Sequence, residues 1–273
     1  AIELKPDDPK AHLNLGGILK DFDKLKDAEL STRKAIELNP NFAEAHSNLG
    51  NILRELGKLQ EARASFLKAI EINPRYAQGF YNLSLLELLI GDYKSGLEKF
   101  EFRFKKNKPA ITHSHTKLKR INNQNLQAGE KLLVISEQGL GDTIQFMRYI
   151  PYLRNQGLDV SFCAQTELHT LIKGSGIDPN PLTPEQATLV SEGQWIPLLS
   201  LPRYLQIHPK NPIVSEPYIF STNQLKNKWK SLLSKEKKPI IGINWQGNPD
   251  AERTFNKGRS LPLEAFSNID REN

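Results

Sequence analysis

Residues 35–38 read Ala-Ile-Glu-Leu, residues 69–72 read Ala-Ile-Glu-Ile, and residues 1–4 read Ala-Ile-Glu-Leu again, so this stretch recurs every 34 residues. Pro40 and Pro74 close two of the units, because proline cannot continue a helix. Such a repeat predicts helix pairs that bury their apolar faces by stacking on one another. Small or apolar residues keep the same step: Leu15, Leu49 and Leu83; Gly16, Gly50 and Ser84; Ala28, Ala62 and Gly96.

The period of 34 residues is typical of tetratricopeptide repeats, in which each unit consists of two helices joined by a turn. The turns are predicted near Asp23, Gly57 and Gly91. Residues 1–108 are therefore expected to form about three repeats of an α-helical solenoid. Residues 1–4 match the tail of a second helix, which predicts that the natural protein has further repeats upstream.

Asparagine occupies the same register of the first helix in all three units, as Asn14, Asn48 and Asn82. An amide carries both a donor and an acceptor, so equally spaced amides along a concave surface would hold an extended peptide backbone. These three are the predicted peptide-binding residues. The motif Ala-His-Ser-Asn-Leu-Gly at 45–50 resembles the repeats of O-linked N-acetylglucosamine transferases, whose asparagines bind protein substrates. The alternative is a spacer or scaffold with no specific ligand.

The composition argues against several classes of protein. The chain is 38% hydrophobic and 25% charged with a net charge of +6, and its lysines are scattered among glutamates, which argues against nucleic-acid binding. No apolar stretch approaches the roughly 18 to 20 residues that span a bilayer. Cys163 is the only cysteine and lies in an apolar run, which predicts a buried thiol and a reducing compartment, the cytoplasm.

Residues 109–129 are polar, without a helical or strand period, and are predicted to form a linker. His113 and His115 lie in it without a neighbouring cysteine or carboxylate, so solvated side chains and no metal site are expected. Three aromatic residues just before the linker cannot all face one side of a helix, and some are expected to pack on the following domain: Phe100, Phe102 and Phe104.

Residues 130–222 follow a different pattern. Residues 131–136 form an apolar, β-branched run, residues 142–156 have apolar residues at helical spacing, and residues 159–164 form a second apolar run. Strand, helix and strand in this order predict a parallel sheet, whose ligands gather at the carboxyl ends of the strands.

The loop after the first strand, residues 137–143, reads Glu-Gln-Gly-Leu-Gly-Asp-Thr. Gly139 and Gly141 would let the backbone approach a ligand, and the helix start would offer free N–H groups to an anion. The loop lacks the third glycine of a dinucleotide fingerprint and the lysine of a P-loop. Asp142 is either a helix cap or a general base for a substrate hydroxyl, with Glu137 as the reserve candidate for the base.

The motif Gly-Leu-Gly-Asp-Thr-Ile at 139–144 resembles the first loop of the heptosyltransferase family, which transfers heptose from a nucleotide sugar within a GT-B fold. Residues 195–202 and 242–249 look like proteins that join tetratricopeptide repeats to such a domain. The resemblance implies an α/β Rossmann-like domain of GT-B type, with Asp142 as the catalytic general base. It also implies a nucleotide sugar as substrate, no separate cofactor, and ligand contacts from Gly139, Gly141 and Thr143.

Residues 223–273 are predicted to hold a helix at 223–234 and the first strand and loop of a second, truncated Rossmann-like half at 239–248. Lys257 and Arg259 fall where heptosyltransferases place a basic residue near the donor phosphates, and arginine suits a diphosphate by its fork geometry. A solvated basic loop is the alternative for this pair.

The leading hypothesis is a fragment of a nucleotide-sugar-dependent glycosyltransferase whose repeats bind a protein or peptide acceptor. Only the start of the second half is present, so this fragment is expected to lack catalytic competence. The rival hypothesis is a non-catalytic interaction scaffold. A third is a nucleotide-binding regulator that uses the glycine loop only.

Overall fold

The computed structural model describes residues 5–122 and 125–234. The chain divides into two units, residues 1–221 and residues 222–273, and each is treated by itself. No helix in the described ranges is long and apolar enough to cross a membrane.

The first part of the larger unit is a stack of three helix pairs. In each pair a short turn joins a first helix to a second, and every second helix also contacts the first helix of the next pair. A single turn of 3-10 helix, Glu101–Phe104, follows the last pair. The helices are α1 (Pro9–Asp21), α2 (Leu25–Leu38), α3 (Ala43–Glu55), α4 (Leu59–Ile72), α5 (Ala77–Leu89) and α6 (Tyr93–Phe100).

The predicted turns lie where the repeat period places them. Asp23, Gly57 and Gly91 have φ of 61°, 75° and 86°, the left-handed conformation that reverses the chain between paired helices. The small residues lie where paired helices touch: a Cβ built on Gly50 would lie 2.6 Å from the Phe66 ring, which is fully buried. The period therefore fixes both the turns and the close helix contacts.

The second part of the larger unit is built on a small parallel sheet. The strand order is β1-β4-β2-β3, and all neighbouring strands run parallel. The apolar core of this part packs between the sheet and its helices and includes Leu132, Phe162 and Ile196. The strands are β1 (Lys119–Arg120), β2 (Lys131–Ile135), β3 (Asp159–Cys163) and β4 (Gln194–Pro197).

The connection between β2 and β3 is predicted as one helix but forms two, α7 (Leu140–Phe146) and α8 (Tyr149–Asn155). Pro151 explains the break, because proline has no N–H to donate and its ring clashes with the carbonyl four residues earlier. In α8 it lies in the first turn, where the missing N–H is tolerated. Three further helices follow, namely α9 (His169–Gly174), α10 (Pro184–Thr188) and α11 (Leu201–Tyr204).

Residues 109–129 are not a plain linker. Lys119 and Arg120 form the edge strand β1, which pairs with β4, although the sequence there has no strand period. Two residues are too few for a period to be visible, and the strand is specified by its neighbour. Cys163 is fully buried, as predicted, and burial raises the pKa of its thiol to about 12.

In the smaller unit, helix α12 spans Asn223–Leu233, close to the predicted 223–234, and Thr222 caps its first turn. The strand and loop expected at 239–248 lie outside the described residues, as do Lys257, Arg259 and the helix tail at residues 1–4.

Candidate functional site

The first helices of the three pairs are neighbours, since α1 contacts α3 and α3 contacts α5. Asn14 is exposed and Asn48 is half-buried, and within the described residues neither amide has a hydrogen-bond partner. A Cβ built on Gly17 would lie 4.0 Å from Nδ2 of Asn48, so α1 comes close to this amide. Two equivalent amides on adjacent helices are therefore left with their donors and acceptors unused.

Asn82 differs from the other two. Its side chain is buried, with 6% of its surface exposed. Its oxygen accepts a hydrogen bond from Gln78 Nε2 at 2.8 Å, and its nitrogen donates to Ser47 Oγ at 3.0 Å. The amide of Asn82, predicted to bind a peptide, is therefore occupied by internal partners and ties α5 to α3.

The glycine loop lies at the carboxyl end of β2, as the parallel sheet predicts. Asp142 is half-buried in the first turn of α7, and its Oδ2 accepts a hydrogen bond from the N–H of Gly139 at 3.1 Å. The carboxylate therefore caps the helix from its third position. A Cβ built on Gly141 meets nothing within 4 Å, so the backbone faces open space at this point.

Thr143 is turned away from that space. The residue is fully buried, and its hydroxyl donates to Gln165 Oε1 at 2.8 Å. Its N–H donates to the carbonyl of Gly139 at 3.2 Å. Predicted as a ligand contact, Thr143 instead holds Gln165, the second residue after β3, beside the loop.

His113 reaches the same edge of the sheet from the predicted linker. Its backbone N–H donates to the carbonyl of Ser136, and its ring Nδ1 lies 3.0 Å from the Ser136 hydroxyl. Its Nε2 lies 3.5 Å from Nε2 of Gln165. The expectation of a solvated His113 is wrong, because the segment that precedes β1 packs along β2. His115 is exposed, as expected.

Glu137 is not available as a base. Its side chain is fully buried and accepts hydrogen bonds from Arg103 Nε at 3.0 Å and Arg103 Nη2 at 2.8 Å. The N–H of Leu199 donates to the same carboxylate at 3.2 Å. This carboxylate therefore serves as a structural anion, which leaves Asp142 as the carboxylate of the loop that solvent reaches.

The end of the helix stack lies close to the glycine loop. Tyr81, on α5, is partly buried, and burial raises the pKa of its hydroxyl. Arg103 and Arg54 oppose that rise, whereas the negative charges of Asp142 and Glu137 add to it. Arg103, which follows the third helix pair, contacts Glu137, the first residue of the loop, so the end of the helix stack and the loop belong to one neighbourhood.

Among residues 5–122 and 125–234, no group of three or more histidine, cysteine, aspartate or glutamate side chains is arranged to hold a metal ion.

Residues 9–42 and residues 43–76 each match a family profile described as Tetratricopeptide repeat. The chain contains tetratricopeptide repeats. Similar solved structures include the crystal structure of MamA, which is 26% identical with a TM-score of 0.35 over 39% of this chain and 62% of the other. YrrB, described as a TPR protein with an unusual peptide-binding site, is 25% identical with a TM-score of 0.36 over 40% of this chain and 56% of the other. No curated protein matches the chain.

A third helix pair, α5–α6, continues the stack beyond the two matched repeats, and Arg103 follows it in the 3-10 turn. The sequence carries a signal for Arg103, because Arg103 stands at the register that alanine occupies in the two preceding units, as Ala35 and Ala69. A charge at a small, buried position needs a buried partner, and Glu137 is that partner. His113 has no comparable signal, since only the pairing of the sheet brings it to the loop.

Proposed function

We propose that the tetratricopeptide repeats bind an extended segment of a partner protein on the surface formed by the first helices α1, α3 and α5. The observation that carries this proposal is the pair of equivalent amides, Asn14 and Asn48, whose hydrogen-bonding groups are unused within the described residues. An amide can hold a peptide unit through its N–H and its C=O together. Stacked repeats offer such positions at regular spacing along one surface.

The test is a peptide-display selection on the purified chain, followed by measurement of the affinity of selected peptides by fluorescence polarisation. The double variant Asn14→Ala, Asn48→Ala is expected to weaken binding about tenfold, at roughly 0.5–1.5 kcal/mol for each lost hydrogen bond. Asn41→Ala, at an exposed asparagine between helix pairs, is the matched control and should bind as the parent chain does.

Asn82→Ala separates binding from stability. The substitution removes a buried amide with two internal hydrogen bonds, so it should lower the free energy of unfolding by about 1–3 kcal/mol. Unchanged peptide affinity in the Asn14, Asn48 double variant would contradict the proposal. Selection of no peptide at all would favour a scaffold that acts through other surfaces.

A second candidate function is glycosyl transfer to the bound partner by the parent protein. The specific observation in its favour is that Asp142, at the carboxyl end of a parallel strand, shares its loop with Glu137, which pairs with Arg103 at the end of the third helix pair. An acceptor held along α1, α3 and α5 would then reach the glycine loop. The rival, a repeat scaffold without catalysis, does not need this proximity.

In this reaction the acceptor hydroxyl attacks the anomeric carbon of a nucleotide sugar. The bond from that carbon to the nucleotide diphosphate breaks, and the hydroxyl proton passes to Asp142. Positioned proton transfer of this kind accelerates a reaction by roughly 10²- to 10⁴-fold. The open backbone at Gly141 would face the donor.

The transfer is tested in the full-length protein with labelled nucleotide sugars and a peptide that the repeats bind. Asp142→Asn keeps the size and much of the capping ability of the side chain, so nucleotide-sugar affinity should stay within about threefold while the transfer rate falls by about 10²-fold or more. Near-normal turnover in this variant would exclude Asp142 as the base. Absence of nucleotide-sugar binding in the full-length protein would favour the non-catalytic scaffold.

The buried, unpaired thiol of Cys163 fits a reducing compartment, and we place the protein in the cytoplasm.

A further inference from the structure

A cavity of about 370 Å³ lies where the second and third helix pairs meet the segment after the repeats. The residues around it differ from the rest of the solenoid in charge. Arg75, Lys105 and Lys106 supply three cations, and among the described residues that line the cavity Glu44 supplies the one acid. The cavity therefore carries an excess of positive charge.

Several cations elsewhere on the repeats pair with a glutamate. Lys34 and Lys68 each lie 2.8 Å from a glutamate of their own helix, at Glu37 and Glu71. By contrast, within residues 5–122 and 125–234, no carboxylate lies within 4.0 Å of the charged nitrogens of the three cavity cations. Their charge is left for a ligand to neutralise.

Lys106 is the most constrained of the three. Its Nζ lies 4.0 Å from the centroid of the Tyr81 ring, and the side chain is half-buried. Burial lowers the pKa of this ammonium group. Lys105 is exposed, with its Nζ 4.8 Å from the centroid of the Phe102 ring. Each ring holds one ammonium group by a cation–π contact, and a partly desolvated cation interacts more strongly with an anion than a solvated one does.

The aromatic rings are not free to stack on bases. Phe102 lies against Phe80 with ring centroids 4.2 Å apart, and Lys106 covers the ring of Tyr81. Proteins that bind single-stranded nucleic acids use open aromatic faces together with a basic groove, so this arrangement favours a small anionic group over a nucleic acid. Gln78 also lines the cavity, and it hydrogen-bonds Asn82 at the edge of the first-helix surface.

We infer that Arg75, Lys105 and Lys106 form a subsite for a carboxylate-bearing segment of the peptide that the repeats bind, so that the chain selects acidic partners. This inference rests on the proposed peptide binding and adds a specificity to it. The amides of Asn14 and Asn48 hold backbone regardless of sequence, whereas the cavity reads the charge of side chains.

The experiment uses the whole chain and two fluorescent decapeptide libraries with the same random background, one with glutamate and one with glutamine at its central positions. The glutamate library is expected to bind about threefold tighter or more, the range for a few exposed ion pairs, and to lose this preference at high salt. Lys105→Gln with Lys106→Gln should abolish the preference and leave affinity for the glutamine library unchanged. Lys108→Gln, at an exposed lysine that does not line the cavity, is the matched control and should retain it.

The outcomes distinguish failure of the acidic subsite from failure of the peptide-binding proposal. Equal binding of both libraries by the parent chain, or a preference that survives the double lysine variant, would overturn the acidic subsite and leave the peptide-binding proposal standing. Binding of neither library would overturn the peptide-binding proposal itself. Displacement of the glutamate peptides by an oligothymidylate that binds more tightly would show that the subsite serves a nucleic acid instead. Thermal melting of each variant shows that its fold is intact.

Discussion

Arg103, which follows the third helix pair, forms a bidentate pair with Glu137, which follows strand β2, at N–O distances of 3.0 and 2.8 Å. Both side chains are buried, with 1% and 0% of their surface exposed. Ser200 accepts a further hydrogen bond from the guanidinium at 2.7 Å. The pair joins the repeats to the sheet at Glu137, the first residue of the glycine loop, so the loop is held in place from the helical side.

Removal of Arg103 should be strongly destabilising. Arg103→Met leaves a buried, unpaired carboxylate, so the free energy of unfolding should fall by about 3–5 kcal/mol in urea denaturation. The double variant Arg103→Met, Glu137→Gln should recover part of that loss, because the buried residue is then neutral and still accepts from Leu199. Arg33→Met, at an exposed arginine that pairs with Glu29, is the control and should cost about 1 kcal/mol or less. Equal losses of unfolding free energy in Arg103→Met and Arg33→Met would show that the buried pair does not join the repeats to the sheet.

Glu101 should contribute stability that acid removes. Burial acts to raise the pKa of its carboxyl, but Arg103, Ser200 and Arg120 together outweigh burial, so the pKa is lowered from its usual 4.5. A group with a lowered pKa stabilises the fold above its unfolded pKa, and this contribution disappears as the pH falls through the folded value.

Glu101→Gln should therefore melt below the parent chain at about pH 7, with the difference shrinking toward about pH 3. Thermal melts across this range measure the effect. Glu55→Gln, whose carboxylate is 3.8 Å from Lys20, serves as the control with a smaller, flatter difference. A Glu101 difference that is constant with pH would contradict the argument.

Cys163 should be unreactive in the folded chain. A thiol with a pKa of about 12 holds almost no thiolate at about pH 8, and the residue is fully buried. Iodoacetamide labelling followed by mass spectrometry should show reaction only after unfolding in urea. Because the sequence has one cysteine, any labelled thiol is that of Cys163. Fast labelling of the native chain would show that β3 opens readily.

Gly141→Ala tests whether the loop approaches a ligand. A Cβ at this position meets no atom within 4 Å, so the variant should be as stable as the parent chain or up to about 1 kcal/mol more stable. If the loop faces a nucleotide sugar, the methyl group should weaken its binding about tenfold or more, by calorimetry. Gly17→Ala, also inside a helix with room for a Cβ, is the matched control for nucleotide-sugar binding. Unaltered nucleotide-sugar binding by Gly141→Ala would show that the loop does not contact the donor.

The repeat region could be predicted from sequence in detail. The turns at Gly57 and Gly91 and the close contact at Gly50 follow from small residues at fixed spacing, because a glycine at a helix contact or a left-handed turn has few substitutes. The helix broken at Pro151 and the edge strand at Lys119 were missed. The helix break depends on the ring of Pro151 and the edge strand depends on pairing with β4, and the spacing of apolar residues reveals neither.

Sequence by itself determined the helix pairs, the parallel strands β2 and β3, and the place of Asp142 at a strand end, since each depends on periodicity or on chain order. Only the tertiary structure decided which polar groups are free. Asn82 and Glu137 have the same chemistry as Asn14 and Asp142, yet they are buried and paired. The physical reason is that an amide or carboxylate is available to a ligand only where packing leaves it in solvent, and packing depends on residues distant in the sequence.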